Sequence, residues 1–186
     1  MAERTTHEEF TKRLLGALNK CNINYLVIGG IAAIYYGRPR STQDCDVIIS
    51  LEESQIKNFC SCLAKQGFDI RESDVLMAFR EKSHFNAYLH DFLLFRADFS
   101  WKSASPLNTR SFERSKEEVI FGVHTRIESP ENLVVAKLVY GSQQDLDDAE
   151  AILRMQKNID MAYMKKRAAE EGVGKALATL LKRIEG

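Results

Sequence analysis

The stretch GGIAAIYYGRPRSTQDCD, residues 29–46, sets Gly29 and Gly30 at the end of one apolar run and Asp44 and Asp46 at the start of the next. Aspartates at i and i+2 of a strand share a face, so their carboxylates stand side by side and call for a cation. A glycine pair between a strand and a helix lets the backbone come close to a phosphate and aims the first N–H groups of the helix at it. The plain alternative is a tight turn. The two pairs together narrow the reading, because phosphate and paired carboxylates share one natural partner, Mg²⁺. Hard oxygen ligands holding magnesium against a polyphosphate are the machinery of nucleotidyl transfer.

Further residues fall in with this chemistry. Asp98, in FLLFRADFSWKS, lies in an apolar and aromatic strand that would bury its charge without compensation. A salt bridge to Arg96, two residues earlier on the same face, is the alternative to a site role. Arg38 and Arg40, on the loop before the aspartates, are candidate phosphate binders, since a guanidinium fork suits phosphate oxygens. Thr42 either orders that loop by hydrogen bonding or simply makes a turn. Asp145 and Asp148, at i and i+3 in QQDLDDAE, either orient a cation such as Lys137 or favour the start of a solvated helix. His84 and His90 match no compact metal-ligand spacing and read as surface positions. Trp101 reads as core, with stacking on a base as the alternative.

The surrounding pattern supplies elements to hold these groups. Residues 7–20 put Phe10, Leu14, Leu15 and Leu18 on one helical face. YLVIG (25–29) and DCDVIIS (44–50) are short apolar runs, read as buried strands, with a two-turn helix between them that stops at Gly37. Glu52 to Lys65 reads as a helix closed by Gly67. Segments near 75–80, 84–90 and 92–100 read as antiparallel strands, and EEVIFGVHTRIES as a hairpin turning at Gly122. SPENLVVAKLVYG has a Ser129 N-cap, Pro130 at the first helical position and Gly141 at its end. The remainder reads as amphipathic helix.

The chain has 186 residues, 45% hydrophobic and 28% charged, enough for one well-buried core. Its 26 basic and 26 acidic residues cancel, so no global field draws it to nucleic acid or anionic membrane. The first twenty residues lack the apolar core of a signal peptide, and no later stretch approaches a spanning helix. The expectation is a soluble, cytoplasmic protein. Cys21, Cys45, Cys60 and Cys62 follow neither a disulfide framework nor a zinc spacing and read as reduced, mostly buried thiols; alternation turns Cys45 toward the core.

The order strand, G-G, helix, D-x-D resembles the signature of the nucleotidyltransferase superfamily, whose fold is that of the DNA polymerase β catalytic core. The form G-R-x-R-x-T-x-D-x-D, with a later Pro-Glu-x-Leu-x-x-x-Lys-Leu helix and an acidic D-x-x-D helix, resembles AbiEii-like nucleotidyltransferases, a group that includes toxins of toxin–antitoxin systems. The resemblance covers roughly residues 24–155. It implies an α/β (α+β) fold with a mixed central sheet flanked by helices, a core over 1–128 and a helical extension over 129–186. It implies that Asp44 and Asp46 hold two magnesium ions and that Asp98 bridges one and helps deprotonate the attacking hydroxyl. It also brings Lys137 to the triphosphate, the alternative being a surface lysine. Gln144 departs from the pattern, which carries a base directly before the first acid. The activity implied is transfer of a nucleoside monophosphate from an NTP such as ATP to a hydroxyl, with RNA, particularly a tRNA 3′ end, as acceptor and an antitoxin as candidate partner. A small-molecule adenylyltransferase and a silent nucleotide-binding module are the alternatives. A clustered basic face on the C-terminal tail would favour RNA, and a closed acidic pocket a small molecule.

Overall fold

The computed structural model describes residues 6–92 and 94–185, so the first residues of the opening segment, residue 93 of the expected 92–100 strand and Gly186 lie outside it. In chain order the elements are α1 (His7–Lys20), β1 (Asn24–Val27), α2 (Gly29–Tyr36), β2 (Asp44–Ser50), α3 (Ile56–Lys65), β3 (Phe68–Asp69), α4 (Glu72–Glu81), β4 (Phe85–Leu89) and β5 (Arg96–Trp101). There follow α5 (Pro106–Glu113), β6 (Ser115–Ile120), β7 (Val123–Glu128), α6 (Pro130–Tyr140), α7 (Gln143–Met155), α8 (Met161–Glu170) and α9 (Gly174–Glu185). Among the described residues seven strands form one mixed sheet in the order β3-β4-β5-β2-β1-β7-β6. The central pair β2–β5 is parallel, as is β1–β7, while β1–β2 is antiparallel.

Alternation along β2 divides the molecule. Cys45, Val47 and Ile49 enter the main core with Phe10, Leu14, Phe59 and Phe99, whereas Asp44, Asp46 and Ile48 take the other face. Ile48 joins a small second cluster with Leu26 and Phe112. The main cluster runs on through Val134, Ile152, Met164 and Leu177, seating α6 to α9 on the same interior. Among the described residues no helix is long and apolar enough to cross a membrane.

Besides β3, a two-residue strand that it did not contain, two elements differ from the sequence reading. Residues 75–80 are not a strand but the body of α4: Val75 and Ala78 are buried at helical spacing, and Lys82 ends the helix in the left-handed region with φ 53. The dense run VLMAF hides which period it follows. The second is α5, absent from the sequence reading although it opens as α6 does. Ser105 and Ser129 each accept from the N–H three residues on, and each is followed by proline.

The cysteines need a further correction. Cys21, at the C-terminal end of α1, is bonded to Cys62 of α3, and only Cys45 and Cys60 are free. The two helices meet over the main core, which no spacing rule reveals. The free pair are both buried. His84 and His90 are exposed, and Trp101 packs on Phe79 and Phe85 away from the carboxylate face, so it does not stack in the site.

Candidate active site

Gly29 opens α2 with φ 62, and a Cβ there would fall inside the Asp46 carboxylate. The residue before it, Ile28, supplies no side-chain cap, so the first turn has unclaimed N–H groups. One of them, Gly30 N–H, donates to Asp46 Oδ2 at 3.3 Å. A Cβ on Gly30 would stand 2.9 Å from Thr42 Oγ1. The glycine pair therefore makes room for the carboxylate as well as for an anion at the helix start. Thr42 Oγ1 donates to the Asp44 carbonyl at 3.3 Å and so ties down the loop.

Register aligns the site across the sheet. On parallel β2 and β5, Asp46 faces Asp98 and Asp44 faces Arg96. On the other side, Val27 pairs with both Val47 and Ile127, so the next residue, Ile28, lies between Asp46 and Glu128. The Ile28 N–H donates to the Asp46 carbonyl at 3.0 Å. Asp98, Asp46, Ile28 and Glu128 thus form a row over four strands, with Asp46 and Glu128 two strand spacings, about 10 Å, apart.

Burial pushes the Asp46 carboxyl above the ordinary carboxylate range; the Gly30 N–H works against this, and the negative charges of Asp98 and Asp44 add to it. Lys137 opposes this from the pocket side, while on the outer side Arg96 compensates Asp98 and Asp44. Its Nε lies 2.8 Å from Asp98 Oδ1 and 3.1 Å from Asp44 Oδ1. The salt bridge considered for Asp98 is therefore present. No three acidic, thiol or imidazole side chains among the described residues converge on an ion position. The donor set still fits a hard divalent cation. It offers carboxylate oxygens alone, and a cation among them would offset both the burial that chiefly raises the Asp46 carboxyl and the lesser repulsion from Asp98 and Asp44. Asp44, Asp46 and Asp98 would hold it if Arg96 withdrew.

The phosphate-binding candidates divide. Lys137 is 7% exposed, no surface lysine, and its Nζ lies 2.7 Å from Asp145 Oδ1 and 3.0 Å from Asp148 Oδ2. Burial of Asp145 raises its carboxyl, but hydrogen bonds from Lys137 and Ser142 outweigh this and hold it below its usual value. Arg40 grips the fully buried Asp148 through both Nε and Nη2, at 3.0 and 3.1 Å. Asp148 thereby positions two cations, while Asp145 also caps α7 through Ser142. Gln144, with its amide oriented to suit, accepts from Arg40 Nη1 at 2.7 Å where the resembling pattern has a base. Arg38 stays outside, exposed and 3.7 Å or more from Asp147 and Asp148.

One pocket of about 320 Å³ collects Gly29, Gly30, Arg40, Thr42, Asp44, Asp46, Lys137 and Asp145. Neither Asp98 nor Arg38 lines it. Its deep end adds residues that the sequence reading missed: Leu107, Asn108 and Ser111 of α5, Glu128 of β7 and Leu133 of α6. Glu128 is 2% exposed and accepts from the Ser111 hydroxyl. Burial pushes its carboxyl up to about 7, against the pull of Ser111 and of Lys137. The repeated Ser-Pro-x-Asn opening was the signal that could have revealed α5. Nothing marked Glu128, whose strand neighbours on that face, His124 and Arg126, are more exposed.

Residues 6–179 match the family described as "Nucleotidyltransferase of unknown function (DUF6036)". No curated protein matches the chain in sequence. Among solved structures, an antigenic nucleotidyltransferase-like protein from Paracoccidioides brasiliensis is similar at a TM-score of 0.54 and 16% identity, over 94% of this chain and 91% of that one. The antibiotic-resistance factor ANT(2'')-Ia is similar in its solution structure, at a TM-score of 0.56 and 13% identity over 96% and 94% of the two chains. Its crystal structure with adenylyl-2''-tobramycin gives 0.50 and 14%, over 97% and 98%. At these identities the likeness speaks for the fold.

Proposed function

Since the chain belongs to this family of nucleotidyltransferases, we propose that it transfers a nucleoside monophosphate from a magnesium-bound NTP to a hydroxyl of a small molecule. The observation that carries the reading is the joining, in one pocket, of the α2 start, Asp44 and Asp46, and the oriented cations Lys137 and Arg40. Bound magnesium would supply charge neutralisation of the polyphosphate and of the oxygens entering and leaving phosphorus. The chain's own groups do the rest. Gly29 and Gly30 leave the backbone open to phosphate oxygens, and Lys137 and Arg40, held by Asp145 and Asp148, meet the remaining charge. Asp98, released from Arg96, accepts the acceptor's hydroxyl proton as its oxygen bonds to the α-phosphorus and the bond to pyrophosphate breaks.

The acceptor follows from charge. Of the six bases from Lys165 onward, Arg167 is buried against Glu170 and Glu171, and Arg183 pairs with Glu150. The four lysines left are exposed, two on α8 and two on α9 with Glu170 and Glu171 between the pairs, too few for an extended basic face for RNA. The pocket carries four acids, Asp44, Asp46, Glu128 and Asp145, against Arg40 and Lys137. An excess of acid here opposes the polyanionic backbone of a tRNA 3′ end and favours a small acceptor, neutral or amine-bearing.

Each α-labelled NTP, with Mg²⁺ and in turn an amine-rich polyol panel and total tRNA, tests the proposal against Asp46→Asn. Label on a small molecule with wild type alone is the expected result. Label on tRNA would replace the acceptor, and absence of both transfer and NTP binding would overturn the reaction.

A further inference from the structure

Once Glu128 has given up its proton, as it does above about pH 7, the deep end of the pocket offers hydrogen-bond acceptors only. Asn108 Nδ2 is committed to the Trp101 carbonyl at 2.9 Å, with Ser100 Oγ at 3.4 Å, which turns Oδ1 away from these partners and leaves it an acceptor. Ser111 gives its one hydroxyl proton to Glu128. Glu128 brings a carboxyl group of which only one oxygen has that partner. Around these stand Ile28, Ile48, Leu107 and Leu133, apolar walls that suit the faces of a flat ring.

Resting on the nucleotidyltransferase reading, we propose that Glu128, with Asn108 and Ser111, recognises the base edge of the bound nucleotide and selects bases with an amino group at that edge, adenine or cytosine, over uracil. An acceptor-only recess pairs with an amino group and repels the O4 carbonyl that uracil has at the equivalent place. The row across the sheet gives the spacing. The carboxylates that would flank the α-phosphate and the Glu128 carboxyl are two strands apart, about 10 Å, room for a ribose between.

The same donor-seeking chemistry could attract an amine of the acceptor, but exposure separates the two ends. Glu128, Ser111 and Leu133 are at most 2% exposed, an enclosure suited to a planar base. The opposite end of the row is open: the side chains of Arg96 and Asp44 are 43% and 36% exposed, beside Asp98, the group that would take the acceptor's proton. The acceptor enters there. Glu128 is thus a specificity residue and takes no part in bond-making.

The test is calorimetric binding of the four non-hydrolysable α,β-methylene ribonucleoside triphosphates, and of inorganic tripolyphosphate, to wild type and Glu128→Gln with Mg²⁺ at pH 8, where Glu128 is ionised. Wild type should bind the adenosine or the cytidine analogue roughly tenfold more tightly than the uridine analogue. Glu128→Gln, which gains an amide donor able to meet O4, should shrink that ratio below about threefold with tripolyphosphate affinity unchanged. An undiminished ratio in the variant, or equal binding of all four analogues to wild type, overturns the proposal. Failure of wild type to bind even tripolyphosphate would instead sink the nucleotide site itself, and the base-edge proposal with it.

Discussion

Arg96 donates from Nε to Asp98 Oδ1 over 2.8 Å, and the same nitrogen lies 3.1 Å from Asp44 Oδ1. A guanidinium therefore stands among the carboxylates that would hold a divalent ion, and the two cations compete. These side chains are partly exposed, so each ion pair contributes no more than about 1 kcal/mol. Arg96→Gln should raise Mn²⁺ affinity without nucleotide roughly two- to fivefold, read by electron paramagnetic titration. Unchanged affinity would show that Arg96 and the metal do not contend for the same oxygens.

Asp46 pits function against stability. Burial and the neighbouring negative charges of Asp98 and Asp44 disfavour its ionised form, so at neutral pH the carboxylate costs stability in the metal-free protein. Asp46→Asn keeps an acceptor for Gly30 N–H and removes the charge. Its melting temperature without metal should rise, while nucleotidyl transfer falls roughly hundredfold or more. A variant that melts lower would mean that the charge is already compensated.

Lys137 is the opposite case, a buried cation whose loss strands two carboxylates. Asp148 is fully buried and Asp145 partly so, and Arg40, with Arg38 farther off at 3.8 Å, would remain for the first. Lys137→Ala should cost about 3–5 kcal/mol in urea unfolding. In an Asp145→Asn/Lys137→Ala double variant, part of that loss should return, since one stranded charge is gone. Additive losses would show that the pair does not act as a unit.

Glu128 gives stability a pH dependence of known sign. Its carboxyl sits at about 7 in the fold against 4.5 ordinarily. The folded protein therefore holds a proton that the unfolded chain releases between those values, and wild type loses stability as pH rises through that window. The shift corresponds to about 3 kcal/mol at most. Lys137 and Ser111 oppose the shift, and Tyr36 and Tyr140 are close enough to feel the charge. Glu128→Gln should match wild type near pH 4.5 and exceed it at pH 8 in thermal melts. Parallel profiles would place the proton elsewhere.

Much of the site could be read from local pattern. Gly29, Gly30, Asp44 and Asp46 lie within eighteen residues, and alternation alone puts the two carboxylates together. The Ser129–Pro130 start likewise located the helix that carries Lys137. What could not be read depends on register between distant strands and on helix packing. Glu128 reaches the pocket because β7 runs parallel to β1 at one register and because α5 covers that face. Arg38 and Arg40 have the same chemistry in sequence, yet only Arg40 turns inward, since α7 presents Asp148 to it. The link between α1 and α3 is equally non-local, and a spacing rule written for small disulfide frameworks passes over it.

That link makes a closed covalent loop. Cys21 and Cys62 stand 41 positions apart, and between them lie the glycine turn, both aspartates and Arg40. A protease that nicks the exposed positions Arg38 or Ser41 would sever the backbone without releasing a fragment. The cut protein should migrate as a single species of 21.2 kDa under denaturing conditions without thiol and fall into two pieces once thiol is added. Two pieces without thiol would mean that the two cysteines are not joined.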